Sequence, residues 1–149
     1  MFKKIQIIYW VWLTSVLASA SVMAAPLITA KEAQMPAASG ELKTRGIARG
    51  PGIKVISPDM TAPEIKGPFD LKVVFESRGG NKIDASAVKV TYLKATAIDL
   101  TPRLKAAITE SGIDFGKAEV PPGEHAVKIT VKDVDGRESN TVMNLVIGK

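Results

Sequence analysis

No cysteine occurs anywhere in the 149-residue sequence, which excludes disulfides, thiol catalysis, cysteine-ligated metals and lipid attachment at a leader cysteine. The fold must therefore stand on its apolar core. Aromatic residues are scarce at 5%, and Tyr9, Trp10 and Trp12 all lie near the N-terminus. Beyond that end only Phe69, Phe75, Tyr92 and Phe115 remain. That is a poor stock for stacking against sugar rings or single-stranded bases. The single histidine, His125, has no G-x-S-x-G or comparable nucleophile motif to serve, and its place just after Pro121-Pro122-Gly123 suits a hydrogen bond to that turn. Neither a G-x-G-x-x-G nor a G-x-x-x-x-G-K loop is present. Paired carboxylates for glycoside hydrolysis would lack aromatic subsites. We therefore assign no catalytic residue and no organic cofactor, and an envelope enzyme ranks third behind two binding readings.

What the sequence does have is a leader. Lys3 and Lys4 precede an apolar run over residues 5–17, followed by small residues over 18–25. This is the pattern of a secretory signal peptide. Val22 and Ala24 satisfy the small-x-small rule for cleavage before Ala25, so residues 1–24 are expected to be removed and the product to be periplasmic or secreted. The alternative is an uncleaved anchor, because residues 5–20 fall just short of the roughly 17 to 25 needed to span a bilayer. After cleavage no integral membrane span is expected. The formal charge of +5 falls by the two leader lysines, and the remaining charges are interspersed, so nucleic acid is not an expected partner.

Residues 25–52 are rich in Ala, Gly, Pro and charge, without a period of 2 or 3.6, and are expected to form a flexible linker. The competing expectation is an ordered arm that docks on a partner. From residue 53 to 149 the pattern changes to short strands separated by turn residues. Phe69, Leu71, Val73 and Phe75 alternate with polar residues, as do Val88, Val90 and Tyr92, and then Val127, Ile129 and Val131. The last strand carries Met143, Leu145 and Ile147 on one face and Val142 and Val146 on the other, so either both faces are covered or one awaits a partner. Arg78-Gly79-Gly80-Asn81, Pro121-Pro122-Gly123 and Asp135-Gly136 supply the turns. One helix is expected within residues 100–111, capped by Thr101, opened by Pro102 and ended by Gly112, with Leu100, Leu104 and Ile108 as its apolar stripe. Arg103, Lys105 and Glu110 would then face solvent. The expected fold class is all-β, a sandwich of about seven strands with one short inserted helix.

Two phrases carry a resemblance. Residues 80–90 (GNKIDASAVKV) resemble the turn and following strand of bacterial immunoglobulin-like domains, and residues 122–139 (PGEHAVKITVKDVDGRES) resemble their hairpin. The resemblance implies an immunoglobulin-like β-sandwich over 53–149, of the fibronectin-like and cadherin-like kind found in exported spacers, adhesion units and docking modules. It is nearly silent on function, because one sandwich hosts many roles. The Cys, Trp, Cys core of antibody domains is missing, which excludes that branch.

The leading expectation is thus a non-catalytic binding or scaffolding module of the cell envelope that engages a protein partner of unknown identity. Its oligomeric state is left open. Arg103 and Lys105 on the inserted helix and Val142 and Val146 on the last strand are the candidate binding surface. The alternative is a calcium-stabilised adhesion module. Asp133, Asp135 and Glu138 cluster at one loop, and Asp84 and Asp99 lie in other loops that would have to approach it to give a hard cation the several oxygen ligands it requires. Against calcium stands ordinary turn chemistry at Asp135-Gly136.

Overall fold

The computed structural model describes residues 25–40 and 49–149; the expected leader lies outside them. Strand β1 is Ala25–Pro26 and helix α1 is Ala30–Ala33. Strands β2 (Gly52–Ser57), β3 (Phe69–Glu76), β4 (Lys89–Tyr92) and β5 (Ile98–Asp99) follow. After helix α2 (Thr101–Leu104) come β6 (Ile108–Thr109), β7 (Gly112–Glu119), β8 (Gly123–Lys132) and β9 (Glu138–Ile147).

Two sheets result. One has the order β1-β7-β3-β2, with β6 also on β7; the other runs β5-β4-β8-β9. All strand pairings are antiparallel except β1 on β7. The period-2 alternation dictates this layering, because each strand sends every second side chain to one face. Leu71 and Val73 from the first sheet meet Val90, Tyr92, Val127, Ile129, Val131 and Leu145 from the second, and all are fully buried or nearly so. The molecule is a β-sandwich with its core between the sheets.

The expected linker needs correction. Its first part, residues 25–40, packs on the sandwich. Ala25 and Pro26 pair with Ala118 and Glu119, and the Leu27 and Ile28 amides donate to the Glu119 carbonyl at 2.9 and 3.3 Å. Leu27 is 0% and Ile28 2% exposed. Burying two such side chains contributes about 1.5 to 3 kcal/mol each, which outweighs the poor periodicity of the segment. The arm then crosses to the other sheet, where the Ala95 amide donates to the Pro36 carbonyl at 2.9 Å and Ala37 bridges Lys94. Residues 41–48 of the expected linker lie outside the described residues, and β2 begins at Gly52.

The inserted helix is also shorter than expected. α2 ends at Leu104 and tightens into a 3-10 turn at Lys105–Ala107 before Ile108 joins β6 against Ile113. Gly112 does not end a helix; it opens β7 at a φ of +153°. A Cβ there would stand 2.0 Å from the Val73 carbonyl oxygen, so only glycine lets β7 approach β3. Thr101 does not cap through its side chain either. Its hydroxyl accepts from the Val90 amide at 2.9 Å and donates back to the Val90 carbonyl at 3.4 Å, pinning α2 to β4. Ahead of the helix, the Asp99 carboxylate accepts from the Thr101 amide at 2.9 Å.

Candidate functional site

The acidic loop between β8 and β9 was the sharpest chemical candidate in the sequence. Asp133 is 4% exposed, and its carboxylate accepts from the Asp135 and Arg137 amides at 3.0 and 2.9 Å and from the Arg137 guanidinium at 2.7 Å. Burial pushes its carboxyl up, but the Arg137 amide, its guanidinium and the Asp135 amide pull it further down, so it ionises below the usual range. Asp135 accepts from Asn81 and faces Arg137 at 3.7 Å. Glu138 pairs with Lys132 at 3.1 Å. The three expected calcium ligands are therefore turned onto two cations and the turn's own amides. Among the described residues no group of three metal-ligating side chains converges.

Asp84 and Asp99 do not join them. Asp84 caps the 3-10 turn Ala85–Ala87 by accepting from the Ser86 hydroxyl and amide at 2.5 and 2.9 Å. Asp99 accepts from the Thr101 amide at 2.9 Å. In both, hydrogen bonds from the following hydroxyl residue hold the carboxyl below its usual range. This is Asx-turn chemistry, which explains the acidic residues without a ligand.

His125 meets the turn as expected. Its Nε2 lies 2.7 Å from the Pro121 carbonyl and its Nδ1 2.8 Å from the Tyr92 hydroxyl. A carbonyl only accepts, so the proton sits on Nε2, and Nδ1 of the neutral ring accepts from Tyr92. Burial is the main force pushing its pKa below the ordinary value, with Lys94 adding repulsion and the Pro121 bond opposing. A neutral imidazole with both nitrogens engaged holds the end of β8 to β4.

The proposed binding residues divide. Arg103 is engaged within the molecule, where its Nη1 donates to the Leu27 carbonyl at 2.8 Å and to one Glu32 oxygen at 2.9 Å, and its Nη2 donates to the other at 2.5 Å. Lys105 stands in solvent beside a shallow cleft that includes Asp99, Thr101 and Pro102. Val142 and Val146 are half-buried on the outer face of β9, alternating with exposed Asn140 and Asn144.

Sequence reasoning missed the residues that seat the arm. Thr29 and Glu32 form a reciprocal capping box, with the Thr29 amide donating to Glu32 at 2.9 Å and the Glu32 amide to the Thr29 hydroxyl at 3.3 Å. The T-x-x-E spacing was the available signal. The hydrogen bonds from Arg103 dominate in holding the Glu32 carboxyl down at about 2. Lys94 adds a bond to the Ala33 carbonyl at 3.0 Å.

β9 is fully paired on one side and, among the described residues, only partly paired on the other. Its ten residues run antiparallel to β8 from Lys132↔Glu138 to Gly123↔Ile147. On the other side, Ile65 donates to the Val146 carbonyl at 2.7 Å and accepts from the Gly148 amide at 3.0 Å. Val146 thus directs its backbone away from β8, and by the two-residue repeat so do Asn144, Val142 and Asn140. Among the described residues no strand pairs with that stretch. No described helix is long and apolar enough to cross a membrane. Compared with protein-family models, curated proteins and solved structures, the chain matches none of them.

Proposed function

We propose that this chain is an exported immunoglobulin-like module of the cell envelope that holds a protein partner, without catalysis, by accepting a strand along the open edge of β9. The immunoglobulin-like assignment is supported by strand order. Without the arm strand, β2-β3-β7 with β6 faces β5-β4-β8-β9, as in the two-sheet Greek-key arrangement of such domains. The observation that carries the binding reading is that, among the described residues, the backbone at Asn140, Val142 and Asn144 of β9 has no strand partner on its outer side. Such a stretch offers main-chain donors and acceptors to a visiting strand, while outward side chains at alternate positions select it. The polar groups with catalytic potential, His125, Asp133 and Glu32, are occupied in holding turns and the arm.

The calcium-stabilised alternative is not carried forward, because its carboxylates would have to leave Arg137 and Lys132. Melting the protein with millimolar calcium and with chelator checks this: an equal midpoint is expected, since only an ion that binds the folded form raises it.

The binding reading is tested by photo-crosslinking in intact envelopes from a reactive residue placed at Asn140 or Asn144, with Lys72 on the opposite sheet as control. A saturable adduct from the β9 positions that Val142→Pro removes supports edge docking. Adducts equal to those from Lys72, or unaffected by the proline, overturn it.

A further inference from the structure

The distal half of the arm is held through two residues of the sandwich. The Lys94 ammonium donates to the Ala33 carbonyl at 3.0 Å, the Ala95 amide donates to the Pro36 carbonyl at 2.9 Å, and Ala37 bridges Lys94. Lys94 and Ala95 come just after the end of β4, where Tyr92 is fully buried and bonded to His125. The Lys94 Nζ also stands over the Tyr92 ring, 5.1 Å from its centroid. Ala37 and Ala38 wall a cleft whose other lining includes Tyr92, Lys94, Glu124 and His125. Imidazole and arm thus meet at the same place.

That place suits only the neutral ring. A second proton, on Nδ1, turns the acceptor for Tyr92 into a donor, so the hydroxyl must accept and swing its own hydrogen aside. Among the described residues the hydroxyl bonds to nothing else. The new charge would also be buried, since His125 is 3% exposed. The charged groups lining the cleft are Lys94, which repels an imidazolium, and Glu124, which is exposed. Ala37 and Ala38 from the arm and Asn144 and Val146 from β9 bring no charge.

We propose that protonation of His125 detaches the distal arm, residues 33–38, from Lys94 and Ala95 and leaves residues 25–28 on β7. Withdrawing Ala37 and Ala38 admits water to the ring and to the Tyr92 hydroxyl, which solvates both the charge and the displaced hydrogen. The detached form binds the proton more tightly than the closed one. Detachment therefore grows by about tenfold per pH unit from 6.5 down to the depressed value of the closed form. The inference does not rest on strand docking at β9.

Amide exchange, corrected for the intrinsic effect of pH and followed residue by residue from above 6.5 to 4.5, reads both halves of the arm at once. Protection at the Ala95 amide should fall by about tenfold, with a midpoint that matches the titration of the His125 ring in the same NMR sample. The Leu27 and Ile28 amides on Glu119 and the Leu93 amide on Ala126 should keep their protection. In His125→Gln, which cannot take up the proton, Ala95 should stay protected throughout. Constant protection at Ala95 while the ring titrates overturns the proposal, as does loss in step with Leu27 or equal loss in His125→Gln. Should that variant fail to fold, the two wild-type midpoints decide alone: agreement supports the proposal and disagreement overturns it.

Discussion

Arg103 and Arg137 each grip a carboxylate, but their partners lie at very different distances along the chain. Asp133 is four residues from Arg137, and their bond stiffens a hairpin tip that the β8 and β9 ladder already defines. Glu32 is 71 residues from Arg103, and their fork ties an arm to a helix on another part of the sandwich. Closing the longer loop carries the larger entropy, and the fork alone could not offset it. What makes the distant pair hold is the apolar burial beside it, Leu27 and Ile28 against β7. The hairpin pair refines a local turn, whereas the arm pair marks where two remote pieces of chain complete one core.

Removing the burial should break the arm first. Leu27→Ala is expected to cost about 2 to 5 kcal/mol in urea unfolding, the range for emptying a leucine site in a core. Next comes Tyr92→Phe, which strips His125 Nδ1 of its donor and should cost about 1 to 2 kcal/mol. Glu32→Gln should cost about 1 kcal/mol, because an arginine that is a third exposed gives a solvent-screened pair. Amide exchange should then rise over residues 27–37 and stay unchanged at Arg137. Val142→Lys sits on the outer face of β9 and should move stability by less than about 0.5 kcal/mol, while lowering partner capture if the edge is the docking site.

Titration separates the regions. The Glu32 carboxyl is held at about 2 in the folded state against an ordinary 4.5, so its contribution is complete above 4.5 and is lost as the pH falls toward 2. His125 is depressed from 6.5, so the folded form disfavours the proton and stability falls as the pH drops below 6.5. Wild type should thus lose stability in two stages on acidification. Glu32→Gln should shrink the lower stage, which Asp84, Asp99 and Asp133 share, and leave the upper one, as unfolding midpoints across the pH range would register.

Where a strand alternated cleanly, the sequence was sufficient. β3, β4, β8 and β9 follow Phe69 to Phe75, Val90 and Tyr92, Val127 to Val131 and Met143 to Ile147, because half-buried strands impose a period of two. β7 escaped this reading. Ile113 and Phe115 alternate, but a register shift against β3 follows, and Lys117 adopts a φ of 54° while its amide donates to Asp70 at 2.9 Å. Ala118 is then the next buried residue, out of phase with the pattern. The arm was hidden for another reason: Leu27 and Ile28 are adjacent apolar residues with no period, and nothing local says that Glu119 and Arg103 wait for them. Turn chemistry was legible at Asp135-Gly136, whereas the commitment of Asp133 to Arg137 required the fold.

The parallel pairing of Ala25 with Ala118 has a consequence in time. Ala25 and Pro26 are made before the strand they must lie beside, because β7 follows β2 to β6. The native place of Leu27 and Ile28 does not exist until then, so the earliest segment of the domain is held back to nearly the last act of folding. Contacts of such long range slow the closing step. A nascent copy therefore presents the greasy pair Leu27 and Ile28 until β7 is made, and whatever guards them in that interval decides how much chain closes its core.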